Sequence, residues 1–212
     1  MGVRTAPCAR RSAAAAPPLT ADARRRPLPG ARAPGGTDLT EDRYPMLPLT
    51  EKQLRSALVN ASRREAADAT VPDLSRLDWD RLDYIGWRDR RAPLSAYVVL
   101  ELDDAPTGVL LRASDASRAR RRAVCAWCED VVVTDDVTLY VARRAGASGR
   151  RGNTIGTLVC TDFTCSRNVR RPPTRTEAGS DAEALRERIV AQRTAGLRER
   201  SARFVAEVLS TR

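Results

Sequence analysis

Apolar and polar positions first fall into a regular pattern near residue 48. Thr50 and Gln53 have the spacing of a capping box, in which each side chain bonds the other's backbone. Leu54, Ala57, Leu58 and Ala61 follow at i, i+3, i+4 and i+7, one face of a helix. The pattern predicts a helix from Thr50 to near Thr70, stopped before Val71-Pro72. Residues 73–91, DLSRLDWDRLDYIGWRDRR, carry Leu74, Leu77, Leu82, Tyr84, Ile85 and Trp87 without a steady period. They read as short helices or turns laid on the main core, with Trp79 and Trp87 as packing groups.

Beyond residue 95 the pattern becomes that of strands. AYVVLEL (96–102) and VLLRA (109–113) are apolar and rich in β-branched residues, and DDAPTG between them is a turn, so 96–113 reads as a hairpin. VVVTDDVTLYVARR predicts two strands around Asp135-Asp136, and TIGTLVC predicts another that ends at Cys160. Thr161 or Asp162 is placed to cap a helix over 161–169. AGASGRRGN reads as a loop and 172–179 as a Pro/Thr/Gly linker. Ser180 with Glu183 repeats the capping box for a last helix, whose apolar face holds Leu185, Ile189, Leu197, Phe204 and Val208.

These elements give an α+β chain in four parts: a tail at 1–48, a short helical part at 49–92, a β-rich domain at 93–178 and a C-terminal helical part at 179–212. Residues 1–45 are Ala, Arg, Pro and Gly without period, and cannot bury enough apolar surface to offset their ordering entropy, so they are expected to be disordered. Cys8 lies there as an unpaired thiol. Met46 stands directly before the first patterned residues, which marks it as an alternative start of translation.

Composition narrows the function. Apolar residues are 42 % of the chain, enough for a core, but aromatics are only 4 %. No run of about 18 apolar residues predicts a membrane span, and no signal-length apolar stretch opens the chain, so a cytoplasmic protein is expected. The net charge is +10, of which +4 lies in residues 1–45. Such a balance often serves a polyanion or an acidic protein face. The bases are 36 arginines and one lysine, Lys52, a skew that reads as the codon bias of a GC-rich genome. Histidine is absent. That excludes Ser-His-Asp and Cys-His mechanisms and histidine metal ligands. With no nucleotide-binding glycine motif either, the chain is not expected to be an enzyme.

Four of the five cysteines form two pairs, Cys125-x2-Cys128 and Cys160-x4-Cys165. The first spacing is that of a zinc knuckle, and the second pair spans the end of a strand and the predicted start of a helix. A hairpin with one pair, then a strand and a helix with the other, is the order of a treble-clef zinc finger. Four thiolates close a tetrahedral site that is structural rather than catalytic, and its binding energy is folding energy. A redox C-x-x-C would need a thioredoxin-like βαβ context, disulfides suit exported chains, and an iron–sulfur cluster also takes four cysteines. Four unconnected buried cysteines are the plain alternative.

CAWCED, VTLYVARRAGASGRRGNTIGTLVCTDFTCSRNVR and the upstream LTEKQLRSALVNASRREA and LDWDRLDYIGWRDRRAPLSAYVV together resemble the elongation factor G-binding family, with its C-terminal treble-clef domain and its FusB-type fusidic acid resistance proteins. The resemblance covers about residues 48 to 209. It implies one structural zinc on Cys125, Cys128, Cys160 and Cys165, and a non-enzymatic protein that binds elongation factor G and promotes its release from the ribosome. The tail has no counterpart there, and the helical part is short for the bundle of the resistance proteins, so factor binding is separable from resistance.

For partner contact the leading residues are Arg143, Arg144, Arg150, Arg151 and Asn153, in a Gly-rich loop suited to hold carboxylates or phosphates in a guanidinium fork. Ser114–Arg122, SDASRARRR, is a second basic run, read as a loop that feeds the knuckle. The partner expected is elongation factor G, on or off the ribosome, with the protein itself a monomer. A zinc-finger RNA- or DNA-binding protein is the alternative, although no RNP-type aromatic motif or recognition helix is present.

Overall fold

The computed structural model describes residues 46–113, 122–132, 136–179 and 182–210. Five strands, β1 (Ile85–Arg88), β2 (Ser95–Leu102), β3 (Ala105–Ala113), β4 (Val137–Arg143) and β5 (Thr154–Cys160), form one antiparallel sheet in chain order. The α+β class holds. The 96–113 hairpin is present, but its turn is only Asp103-Asp104, both with positive φ (52° and 60°), and Ala105–Gly108 belong to β3. Two left-handed residues make the tight turn that matches the twist of the flanking strands. Trp87–Arg88 pair with Ala96–Tyr97, so part of the segment expected as helices or turns is an edge strand.

Of the two strands expected around Asp135-Asp136, β4 alone is found among the described residues. Val131 and Val132 are exposed and outside any strand, and 133–135 lie outside the described residues. β4 and β5 pair from Val137↔Cys160 to Arg143↔Thr154. The expected open loop between them folds into a short helix, α3 (Gly146–Arg150).

The sheet has two apolar faces. Ala96, Val98, Leu100, Val109, Leu111, Tyr140, Ala142 and Val159 face the long C-terminal helix and the cysteines. Tyr97, Val99 and Leu110 face the opposite way, onto the N-terminal helices, with Ile85 and Trp87 in the same cluster. Trp87 stacks on Tyr97 at 5.1 Å, so its packing role is as expected.

The single helix expected over 50–70 is two: α1 (Glu51–Ala57) and α2 (Arg63–Asp68). Thr50/Gln53 caps the first as predicted, and Ser62/Glu65 forms a further box that starts the second. Between them the sheet takes over the backbone. Leu58 bridges Gly108, the Val59 amide donates to the Gly108 carbonyl (2.9 Å), and the Asn60 side chain donates to the carbonyls of Leu110 and Arg143. A Cβ at Gly108 would stand 2.8 Å from Val99, so this close crossing needs glycine.

Three further short elements differ from expectation. Helix α4 (Cys165–Val169) has Thr164, not Thr161 or Asp162, at its N-cap, and Thr161 instead bonds Thr138 (2.7 Å) inside the core. The linker at 172–179 contains α5 (Arg175–Ala178), capped by Thr174/Glu177 and ended by left-handed Gly179. Backbone and side-chain bonds from Thr174, with Arg171 and Arg193 alongside, hold the Glu177 carboxyl down to about 2. The last helix, α6, runs Glu183–Leu209 with Ala182 at its N-cap; Ser180, its expected cap, lies outside the described residues. Leu197, Phe204, Val205 and Val208 of α6 are buried, whereas Leu185 and Ile189 are half-buried. Residues 1–45, with Cys8, and most of the 114–122 basic run also lie outside the described residues. No described helix is long and apolar enough to cross a membrane.

Candidate metal centre

The two cysteine pairs arrive from different elements. Cys125 and Cys128 sit on a turn before β4, closed by the Glu129 amide on the Cys125 carbonyl (2.9 Å) and by left-handed Glu129 (φ 52°). Cys160 ends β5 and Cys165 opens α4. The link between them turns at Phe163, also left-handed (φ 56°), whose amide donates to the Cys160 carbonyl.

The sulfurs converge. Cys125 Sγ lies 3.6 Å from Cys165 Sγ, Cys128 Sγ lies 3.7 Å from Cys160 Sγ, and all four fall within 4.8 Å of one another. Four ligands at about 2.3 Å from a zinc ion stand about 3.8 Å apart at the corners of a regular tetrahedron. The two measured edges match that figure, so the donor set and its spacing fit one structural zinc. None of these four cysteines is more than 4 % exposed, which leaves no open coordination position facing bulk water.

Without a cation, the cluster resists full ionisation. Contacts with Cys125 and Cys128 raise the Cys160 thiol, and burial followed by the neighbouring sulfurs raises Cys165 well above its ordinary range. A bound divalent ion inverts that balance by favouring thiolate. Metal uptake therefore releases protons and tightens as pH rises.

Supporting groups surround the sulfurs. The amides of Trp127 and Cys128 point at Cys125 Sγ (3.4 and 3.5 Å), and Asn168 Nδ2 donates to Cys160 Sγ (3.4 Å). Arg200 Nε from α6 donates to the Trp127 carbonyl (2.7 Å), and its guanidinium pairs with Glu129 (2.9 Å). Trp127 is buried against Tyr84 and Phe204. Tyr140, whose hydroxyl burial pushes up to about 12, donates to the Thr161 carbonyl (2.9 Å) and packs on Phe163. Sequence reasoning found the four sulfurs. It missed Asn168, three residues after Cys165 and so on the same helical turn, and Arg200, which no local signal marks.

The five residues of the basic loop divide. Arg143 pairs with Glu65 (3.0 Å), which Arg112 shares. Arg144 reaches the end of α6, bonding the carbonyls of Glu207 and Ser210 and the Glu207 carboxylate. Asn153 holds the turn closed through Ser148 (2.9 Å). Arg150 and Arg151 are exposed, and their guanidinium groups engage no other described residue.

A family model described as FBP C-terminal treble-clef zinc-finger matches residues 53–208, a span that includes all four cysteines and every strand. No curated protein and no solved structure gives a significant match.

Proposed function

The chain belongs to the FBP C-terminal treble-clef zinc-finger family, and from that membership we propose that it is a non-enzymatic, cytoplasmic zinc protein that binds translation elongation factor G and alters its residence on the ribosome. The observation that carries this reading is the match over 53–208 together with an intact four-cysteine cluster. The zinc shapes the contact surface and takes no part in chemistry, since a closed tetrahedral thiolate site presents no open position to a substrate. To promote release, the protein must bind one conformation of the factor more tightly than another, because equal affinity for both shifts nothing.

The test is binding of purified, zinc-loaded protein to elongation factor G at low and moderate salt. One-to-one binding that survives moderate salt is expected, and an assay of factor release from ribosomes, with and without fusidic acid, then reads the consequence. Absence of binding to the factor, with retention on ribosomal RNA that vanishes as salt rises, would overturn the reading in favour of a nucleic-acid binder.

A further inference from the structure

The four sulfurs of a regular tetrahedron are equivalent, but their surroundings here are not. A cleft of about 220 Å³ lies between the first cysteine turn, α4 and α6. Buried Cys128, Asn168 and Val169 form its floor, and exposed Glu129, Val131 and Gln192 form its rim. Of the four cysteines, Cys128 is the one in that floor. It is also the most accessible, at 4 % against 2 % for Cys160 and 0 % for Cys125 and Cys165. Cys160 is reached only behind Asn168, whose amide is bonded to its sulfur.

Three carboxylates line the walls, and each is held by a guanidinium. Arg193 and Arg171 hold Glu177 (2.6 and 3.3 Å), and Arg171 also reaches Asp130 (3.4 Å), with all four side chains at most 24 % exposed. Glu129 differs. Its side chain is 57 % exposed, and its partner is Arg200 of α6. Arg200 also donates to the Trp127 carbonyl, so one guanidinium fastens both sequence neighbours of Cys128. An ion pair with an exposed partner is weak. Glu129 is moreover held at positive φ, a conformation that persists only while its surroundings fix it. The turn therefore opens most easily at this fastening, and opening it exposes the Cys128 sulfur to the cleft.

We propose that Cys128 is a modification site for small soft electrophiles, reached through this cleft, and that Arg200 is the latch that controls access to it. In addition to an activated alkene, the sulfur lone pair forms the S–C bond, the alkene π pair moves to the neighbouring carbon, and that carbon takes a proton from water. The product is a neutral thioether, which leaves three thiolates to hold the ion. Because metal binding is folding energy, modification there loosens the cysteine-bearing half of the sheet. The inference rests on the zinc site and is independent of the partner's identity.

The test treats the zinc-loaded full chain, in a Cys8→Ser background, with limiting N-ethylmaleimide. Early labelling is read site by site by mass spectrometry, and zinc release by a chromophoric chelator. Cys128 is expected to take about tenfold more label than Cys125, Cys160 or Cys165, with zinc released in step. Equal labelling of the four, or earlier labelling of another, overturns the site. Arg200→Met removes both bonds of the latch and is expected to speed labelling of Cys128 by about fivefold. Arg198→Met is the control, since Arg198 also leaves α6 to bind a carboxylate, Asp83, but does not line the cleft. Urea midpoints of the two variants separate access from general loosening. Labelling that follows the loss of midpoint equally in both overturns the latch. Should Arg200→Met not retain zinc, Glu129→Gln loosens the exposed pair alone, and an unchanged Cys128 rate there overturns the latch as well.

Discussion

Asn168 shows how much a single amide does near a thiolate cluster. A zinc ion with four cysteinates carries a formal charge of −2, and burying that charge is costly unless donors face the sulfurs. Two backbone amides serve Cys125, but the side-chain donor on Cys160 is Asn168, itself 5 % exposed. Asn168→Ala is expected to keep the fold and weaken zinc affinity by about tenfold or more, the usual cost of losing such an outer partner. Competition with a chromophoric chelator measures this; equal retention by variant and parent would remove Asn168 from the site. Asn168→Asp, with a carboxylate against a thiolate, should lose more than the alanine variant.

At the scale of elements, the sheet overrides local helical signals. Thr50/Gln53 and the apolar period around Leu54 were legible, and so was the β2–β3 hairpin, because each rests on neighbours in sequence. The break between α1 and α2 was not legible, because it depends on Gly108 and Leu110, about fifty residues away. β1 escaped for a related reason: IGWR is too short to show alternation, and its pairing with β2 makes it a strand. The cysteines were legible as a metal site because spacing is local. The fate of the arginine loop was not, since Glu65 and the end of α6 decide which guanidinium groups stay free. Gly86 on β1 gives a check on element packing. A Cβ there would meet the Phe163 ring at 2.6 Å, so β1 is held directly beneath the link between the second pair of cysteines. Gly86→Ala is expected to destabilise the fold by about 1–3 kcal/mol through overpacking, read as a lower midpoint in urea; an unchanged midpoint would mean that Phe163 moves aside freely.

For the whole molecule, the metal centre ties distant parts of the chain together. The sulfurs join a turn at 125–128 to a strand end and helix at 160–165, and around them Asp83, with its side chain fully buried, receives Arg170 of the turn after α4 and Arg198 of α6. Trp127, Tyr84 and Phe204 close the apolar side. Zinc binding and folding of the sheet's cysteine-bearing half are therefore one event. Cys160→Ser is expected to abolish both stoichiometric zinc and the cooperative melt, seen as loss of near-ultraviolet ellipticity. A variant that loses zinc yet melts as sharply as the parent would refute the structural role.

The position of α6 has a consequence for the order in which the protein is made. Arg200 clamps the first knuckle, and Leu197, Phe204, Val205 and Val208 cover the cysteine side of the sheet, yet all of them are translated after the last cysteine. A nascent chain that has emerged only as far as Cys165 has all four thiols in hand but no wall to bury them. It must carry an open cluster and an uncovered β-sheet until 43 further residues, through Val208, have followed. Maturation of the site thus waits for the C-terminal helix, and a pause in synthesis just before it would leave the chain in its most oxidisable and most aggregation-prone form.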